Sequence, residues 1–106
     1  MEKHLIIIDL DGTLMLNFAE YEIEAVNYLK KLNQLGHKIL IATGRHFRSS
    51  HFVYQEIGLD TPIINYNGAL VSNPHDSNFP ETDLRISRKS LFDILDYAGD
   101  SLINVF

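Results

Sequence analysis

The chain has 106 residues, with 9 Lys and Arg against 14 Asp and Glu, for a formal net charge of −5. That length makes one domain, or one domain and the beginning of another; 45% hydrophobic and 22% charged residues exclude a disordered tail or a collagen-like repeat. The absence of cysteine excludes a disulfide framework, a thiolate metal site and a cysteine nucleophile. No apolar run approaches the ~18 residues of a membrane span, and none has the form of a signal peptide, so a cytoplasmic location without membrane contact is the expectation. Net acidity argues against nucleic acid as a partner. An anionic substrate would need something other than overall charge to hold it.

In chain order, Leu5 to Ile8 is an unbroken, largely β-branched apolar run, which predicts a strand buried on both faces. Tyr21, Ala25, Tyr28, Leu32 and Leu35 recur at helical spacing, Lys30 and Lys31 fall on a solvated face, and Gly36 supplies the stop. On the same pattern Tyr21 and Tyr28 are core residues. Ile39 to Ala42 predicts a second strand, His46 to Ile57 a helix closed by Gly58, and Pro62-Ile63-Ile64 the start of a third strand. Strand, helix, strand, helix, strand is the pattern of right-handed crossovers in a parallel sheet, with helices on its faces. Residues 73–80 gather turn formers and prolines and read as a linker. Beyond them come a strand expected at Leu84 to Ser87, a helix at Lys89 to Ala98, and an apolar stretch from Leu102 to Phe106 that ends with the chain.

Three motifs sit at strand ends, where an open α/β sheet binds ligands. The first is Asp9-Leu10-Asp11-Gly12-Thr13-Leu14. In extended geometry its two carboxylates point roughly the same way, and that arrangement needs a cation or a proton to offset the repulsion. One carboxylate can then ligate Mg²⁺ and act as nucleophile while the other exchanges a proton. Gly12 lets the backbone turn sharply near a ligand. The second motif is Thr43-Gly44-Arg45. Its hydroxyl and amides make a phosphate cradle, and Arg45 can fork onto either a phosphate or a carboxylate. The third is Asn65-Tyr66-Asn67-Gly68-Ala69, where Asn-Gly signals a tight hairpin turn. Its position on the ligand edge makes Asn67 a candidate substrate contact. The five histidines show no metal-ligand spacing and read as surface or packing residues.

Taken together, Asp9 to Leu14, Ala42-Thr43-Gly44-Arg45 and Tyr66-Asn67-Gly68-Ala69 resemble the haloacid dehalogenase (HAD) superfamily, and within it the Cof-type phosphatases. The resemblance implies a Rossmann-like α/β core with helices on both faces of a parallel sheet. On that reading residues 1–72 are the N-terminal portion of the core, 73–82 a linker, and 83–106 the beginning of an inserted α+β cap. The resemblance implies a Mg²⁺-dependent phosphomonoester hydrolase working through an aspartyl phosphate on small phosphorylated metabolites such as sugar phosphates. Asp9 would be nucleophile and metal ligand. Asp11 would be the acid and base, with its carbonyl on the metal. Thr43, Gly44, Arg45, Asn67 and Gly12 would contact substrate or phosphate.

The family's phosphate-contacting lysine and late acidic motif have no counterpart here: Lys89 falls in the expected cap, and no second acid follows Gly99-Asp100 at the needed spacing. The expectation is therefore the N-terminal part of such an enzyme. Its rival is a truncated, non-catalytic phosphate- or metal-binding remnant. A receiver domain would need its acceptor aspartate after a middle strand, where Thr43 and Asn65 stand. A dinucleotide fold would need more than the single glycine after the first strand. Oligomeric state and the particular substrate are not written in these residues.

Overall fold

The apolar runs become strands and the stretches of helical period become helices, in the order expected. The structure, a computed structural model, describes residues 2–99. Its elements are β1 (Leu5–Ile8), α1 (Ile23–Gln34), β2 (Lys38–Ala42), α2 (Phe47–Ile57), β3 (Ile63–Asn65), β4 (Leu70–Ser72), β5 (Thr82–Asp83) and α3 (Arg88–Ala98). A single 3₁₀ turn, Tyr66–Gly68, joins β3 to β4. The expected stretch Leu102 to Phe106 lies outside the described residues.

The five strands form one sheet in the order β1-β2-β3-β4-β5. β1, β2 and β3 are parallel, with Ile6 opposite Ile39 and Ile41 opposite Ile63. β4 and β5 then run antiparallel, so the sheet is mixed. The antiparallel return follows from the Asn-Gly turn, whose hairpin geometry pairs Asn65 with Leu70. The strand expected at Leu84 to Ser87 is found earlier, at Thr82–Asp83. There the chain re-enters the same sheet beside β4.

Two crossovers made in the same direction and of the same right hand put both helices on one face of the sheet. One core cluster accordingly joins Ile39, Ile41 and Ile63 of the strands to Val26 and Leu29 of α1 and Val53, Tyr54 and Ile57 of α2. Helices on both faces were expected; among the described residues α1 and α2 cover one. The opposite face of β1 is open, with Leu5 62% and Ile7 60% exposed, and β1 has a neighbour on one side only. Burial of β1 on both faces is therefore corrected to partial burial on one, through Ile6 and Ile8, because among the described residues no layer packs on the face that carries Leu5 and Ile7. The α1 stripe is corrected too. Tyr21, Ala25 and Leu32 of the expected stripe do pack against the core, but Tyr28 and Leu35 are exposed while Val26 and Leu29 are buried, so the stripe is borne out only in part.

One buried polar link in this core is Tyr54, fully inaccessible, whose hydroxyl donates to the Thr61 carbonyl at 2.6 Å. Thr61 in turn donates to the Ile39 carbonyl at 2.6 Å. Burial, and after it the charge of Asp60, pushes the Tyr54 phenol up from 10.0 to about 12. Across that window the folded chain keeps a proton that the unfolded chain has lost, so stability falls as pH rises. Alkaline unfolding followed by circular dichroism should show Tyr54→Phe losing less stability than wild type between pH 10 and 12. At neutral pH the same variant should be about 1–3 kcal/mol less stable, because the Thr61 carbonyl is left without its donor.

Candidate active site

β1 ends at Ile8, and the chain bends at once. The Leu10 carbonyl accepts the N–H groups of Thr13, Leu14 and Met15, while the Leu10 side chain drops fully into the core. Gly12, with φ of +77°, makes the turn this requires. The bend has a consequence for the two carboxylates. Alternation with period two holds only along an extended strand, so Asp9 and Asp11 do not point the same way. Asp9, its Oδ1 capped by the Leu10 N–H at 2.8 Å, lines a depression of about 340 Å³ at the carboxyl ends of the parallel strands. Ala42, Thr43, Gly44, Ile64, Asn67 and Gly68 line the rest of it, and Asp11 does not.

Two loops are stitched together to make that depression. The Thr43 N–H donates to the Ile64 carbonyl, the Asn67 N–H to the Thr43 carbonyl and the Tyr66 N–H to the Arg45 carbonyl, at 2.9, 3.0 and 3.1 Å. Asn65, fully buried, adds a side-chain bond to the Arg45 carbonyl at 3.0 Å and another to Ser50 Oγ at 2.9 Å. Tyr66 and Asn67 both sit in the left-handed region, with φ of +50° and +54°. Such residues cost roughly 1–2 kcal/mol each, and the stitching holds them there. Asn67 is brought close enough to Gly44 that a Cβ on Gly44 would lie 3.0 Å from Asn67 Oδ1. A side chain at Gly44 would therefore oblige the Asn67 amide to give way by a few tenths of an ångström.

Arg45 is 7% exposed and takes the carboxylate of the two partners its fork could meet. Its Nε donates to Asp11 Oδ2 at 2.8 Å and its Nη2 to Asp11 Oδ1 at 2.6 Å. Nη1 donates to the carbonyls of Phe18 and Ser49, and the guanidinium lies 4.6 Å from the centre of the Phe18 ring. That hydrogen-bonded guanidinium holds the Asp11 carboxyl below the usual carboxylate range, and Asp11 raises Arg45 in return. Asn17, Phe18 and Ser49, which complete the setting of Arg45, carried no signal in the sequence: two of them contribute only a backbone carbonyl.

As to metal, Asp9 and the Asp11 backbone offer hard oxygen donors of the kind Mg²⁺ takes, and Mg²⁺ is commonly held by one or two carboxylates with substrate phosphate and water. The donor chemistry fits. The described residues contain no group of three or more His, Asp or Glu placed to hold a metal by themselves.

In this α/β sheet an aspartate, a threonine-glycine turn and an asparagine meet at the carboxyl edge of the three parallel strands. Residues 6–106 match the family model described as haloacid dehalogenase-like hydrolase, and the chain belongs to that family. It is 41% identical over 78 residues to the 5-amino-6-(5-phospho-D-ribitylamino)uracil phosphatase YitU of Bacillus subtilis, covering 74% of this chain and 29% of that protein. It is 34% identical over 83 residues to the pyridoxal phosphate phosphatase YbhA of Escherichia coli, covering 78% and 30%. Among solved structures, a haloacid dehalogenase-like hydrolase from B. subtilis superposes with a TM-score of 0.69 at 29% identity, covering 92% of this chain and 33% of that one. A Thermotoga maritima protein does so with 0.69 at 27%, covering 97% and 38%. The chain thus spans about a third of the length of the relatives it matches.

Gly44→Ala tests the packing at the centre of the depression. The added methyl should push the Asn67 side chain aside by a few tenths of an ångström, visible as a shift of the Asn67 side-chain amide resonances. The Ile39 and Val53 resonances, in the core on the other side, should stay in place.

Proposed function

We propose that the protein is a Mg²⁺-dependent phosphomonoester hydrolase acting through an aspartyl phosphate. The observation that carries this reading is the meeting of Asp9 with Thr43, Gly44 and Asn67 in one depression at the carboxyl edge of the parallel strands. A nucleophilic carboxylate there faces a hydroxyl and a loop of the type that holds phosphate. The named relatives support the class of reaction. Their names specify small phosphorylated compounds, and we carry over that shared class: a small phosphorylated metabolite, sugar phosphates among them.

In this mechanism an Asp9 oxygen attacks the phosphorus in line with the ester oxygen, and the bond to the leaving group breaks. To give the departing alkoxide its proton, Asp11 would have to take up a proton against the Arg45 fork and turn one oxygen toward the ester. Water then attacks the phosphorus of the aspartyl phosphate, Asp11 takes the water's proton, and the bond to Asp9 breaks to release inorganic phosphate. Thr43 Oγ1 accepts the Arg45 N–H at 3.1 Å and so keeps its own proton to donate to a phosphoryl oxygen. Asn67 shapes the depression in which the ester would sit, and Gly12, expected as a substrate contact, does not line it. Asp9 and the Asp11 carbonyl would hold Mg²⁺, which when bound would supply charge neutralisation of the phosphoryl oxygens. Residues 1–72 serve as core in this reading, 73–82 as the link, and 83–106 as the start of a cap over the site.

Hydrolysis of p-nitrophenyl phosphate in the presence of Mg²⁺ tests the assignment. Asp9→Asn keeps the shape of the side chain, removes the nucleophilic charge, and should abolish turnover; an Asp9→Asn chain working at the wild-type rate would sink the reading. Asp11→Asn should lower turnover by about 10²–10⁴-fold, the range for general acid–base help, with inorganic phosphate still bound. If binding fell in step with turnover, Asp11 would be a ligand and not the proton carrier.

A further inference from the structure

Among the motif residues, Arg45 is the one whose sequence reading left two partners open, and its geometry closes the question. A guanidinium has five N–H donors in a fixed fork. In this chain Nε meets Asp11 Oδ2; one side of Nη1 meets Phe18 O at 2.8 Å and the other Ser49 O at 2.9 Å; Nη2 meets Asp11 Oδ1 and, at 3.5 Å, Asn17 O. Each donor faces an acceptor, and the residue is almost fully buried. Nor does Arg45 line the depression that holds Asp9, Thr43 and Asn67. Its main chain is fixed as well: the N–H lies on Thr43 Oγ1, and the carbonyl takes both the Tyr66 N–H and Asn65 Nδ2. The Asp11 side chain, by contrast, is 59% exposed and has nothing but this fork to set its direction.

We propose that Arg45 is a positioning residue for Asp11 and not a phosphate ligand: it fixes where the acid–base carboxylate stands, and in the same grip ties the Asn17–Phe18 turn to the start of α2. A planar two-point fork sets both the place and the angle of a carboxylate, whereas a lysine sets neither. Misplacing a catalytic group by about 1 Å can cost on the order of 10²-fold in rate. The assignment rests on the phosphatase reading above.

The test combines inorganic phosphate titration, in the presence of Mg²⁺ and followed on the NMR signals of the chain, with steady-state kinetics on p-nitrophenyl phosphate. Phosphate should move the Thr43 and Gly44 amides and leave the Arg45 Nε–H signal in place; Asp11→Asn, which leaves the buried guanidinium without its carboxylate and is checked for cooperative unfolding, should move that signal. Arg45→Lys should bind phosphate within about twofold of wild type and show an unchanged KM, with kcat down about tenfold or more. Its cooperative unfolding checks that the fold is intact. If phosphate shifts the Arg45 Nε–H signal, and Arg45→Lys weakens phosphate binding in step with turnover, Arg45 is a phosphate ligand and the proposal is overturned. The kinetics are read on the whole protein that carries this chain; if that protein shows neither phosphate binding nor turnover, the phosphatase reading is overturned, and the role of Arg45 with it.

Discussion

The buried guanidinium of Arg45 is the interaction on which the arrangement of the site depends. It joins three pieces of chain: the turn after β1 through Asp11, the 17–18 turn through two carbonyls, and the first turn of α2 through Ser49. A buried charge is tolerable only when paired and fully hydrogen-bonded, and that requirement dictates the fold of its surroundings. Each carbonyl must stand where a donor points. The Phe18 ring, largely exposed to solvent on its outer side, covers the cation on its inner side. The ion pair with Asp11 adds little to stability by itself where that carboxylate faces water. Its value lies in direction.

The same constraint explains how an acidic chain can carry a site for an anion. Overall charge does not help, and Arg45 does not offer its positive charge to the depression. What remains there is a hydroxyl, backbone amides, an asparagine amide and the Asp9 carboxylate. A phosphate brought against that carboxylate repels it unless a cation intervenes, so the reading with Mg²⁺ follows from the residues as much as from the family. The cationic side chain nearest in sequence is already neutralised. A metal is the chemically simplest means of making up the difference.

Much of this was legible in the sequence because it depends on local pattern. The runs Leu5–Ile8 and Lys38–Ala42, the helices closed by Gly36 and Gly58, and the motif residues at strand ends all follow from period and punctuation. What was not legible depends on which elements become neighbours. Leu5 and Ile7 have the composition of a doubly buried strand, but exposure is set by what packs against them, and among the described residues nothing does. Tyr28 fits the helical stripe as well as Val26 does; the tilt of α1 on the sheet selects Val26. β4 could not be told from a loop because three residues of ordinary composition become a strand only when the turn at Asn67 brings them beside β3. The partner of Arg45 was open for the same reason, since a fork fits carboxylate and phosphate alike.

The core and the site are separated by the sheet's own geometry, yet one polar network crosses between them. Asn65 lies at the end of β3 on the helix side, fully buried, and donates to both Ser50 in α2 and the carbonyl of Arg45. Its Oδ1 has no partner among the described residues. Turning the amide over would not help, because it would set that oxygen against the Arg45 carbonyl; the orphan acceptor is the consequence of using both amide protons. An unsatisfied buried acceptor destabilises by about 1–3 kcal/mol, and an apolar side chain in this place would avoid it. The asparagine instead ties the helix that packs the core to the loop that carries Thr43 and Arg45. Stability is lowered at one atom, and the direction of Asp11, at the far end of that chain of contacts, is fixed by the same buried layer that folds the protein.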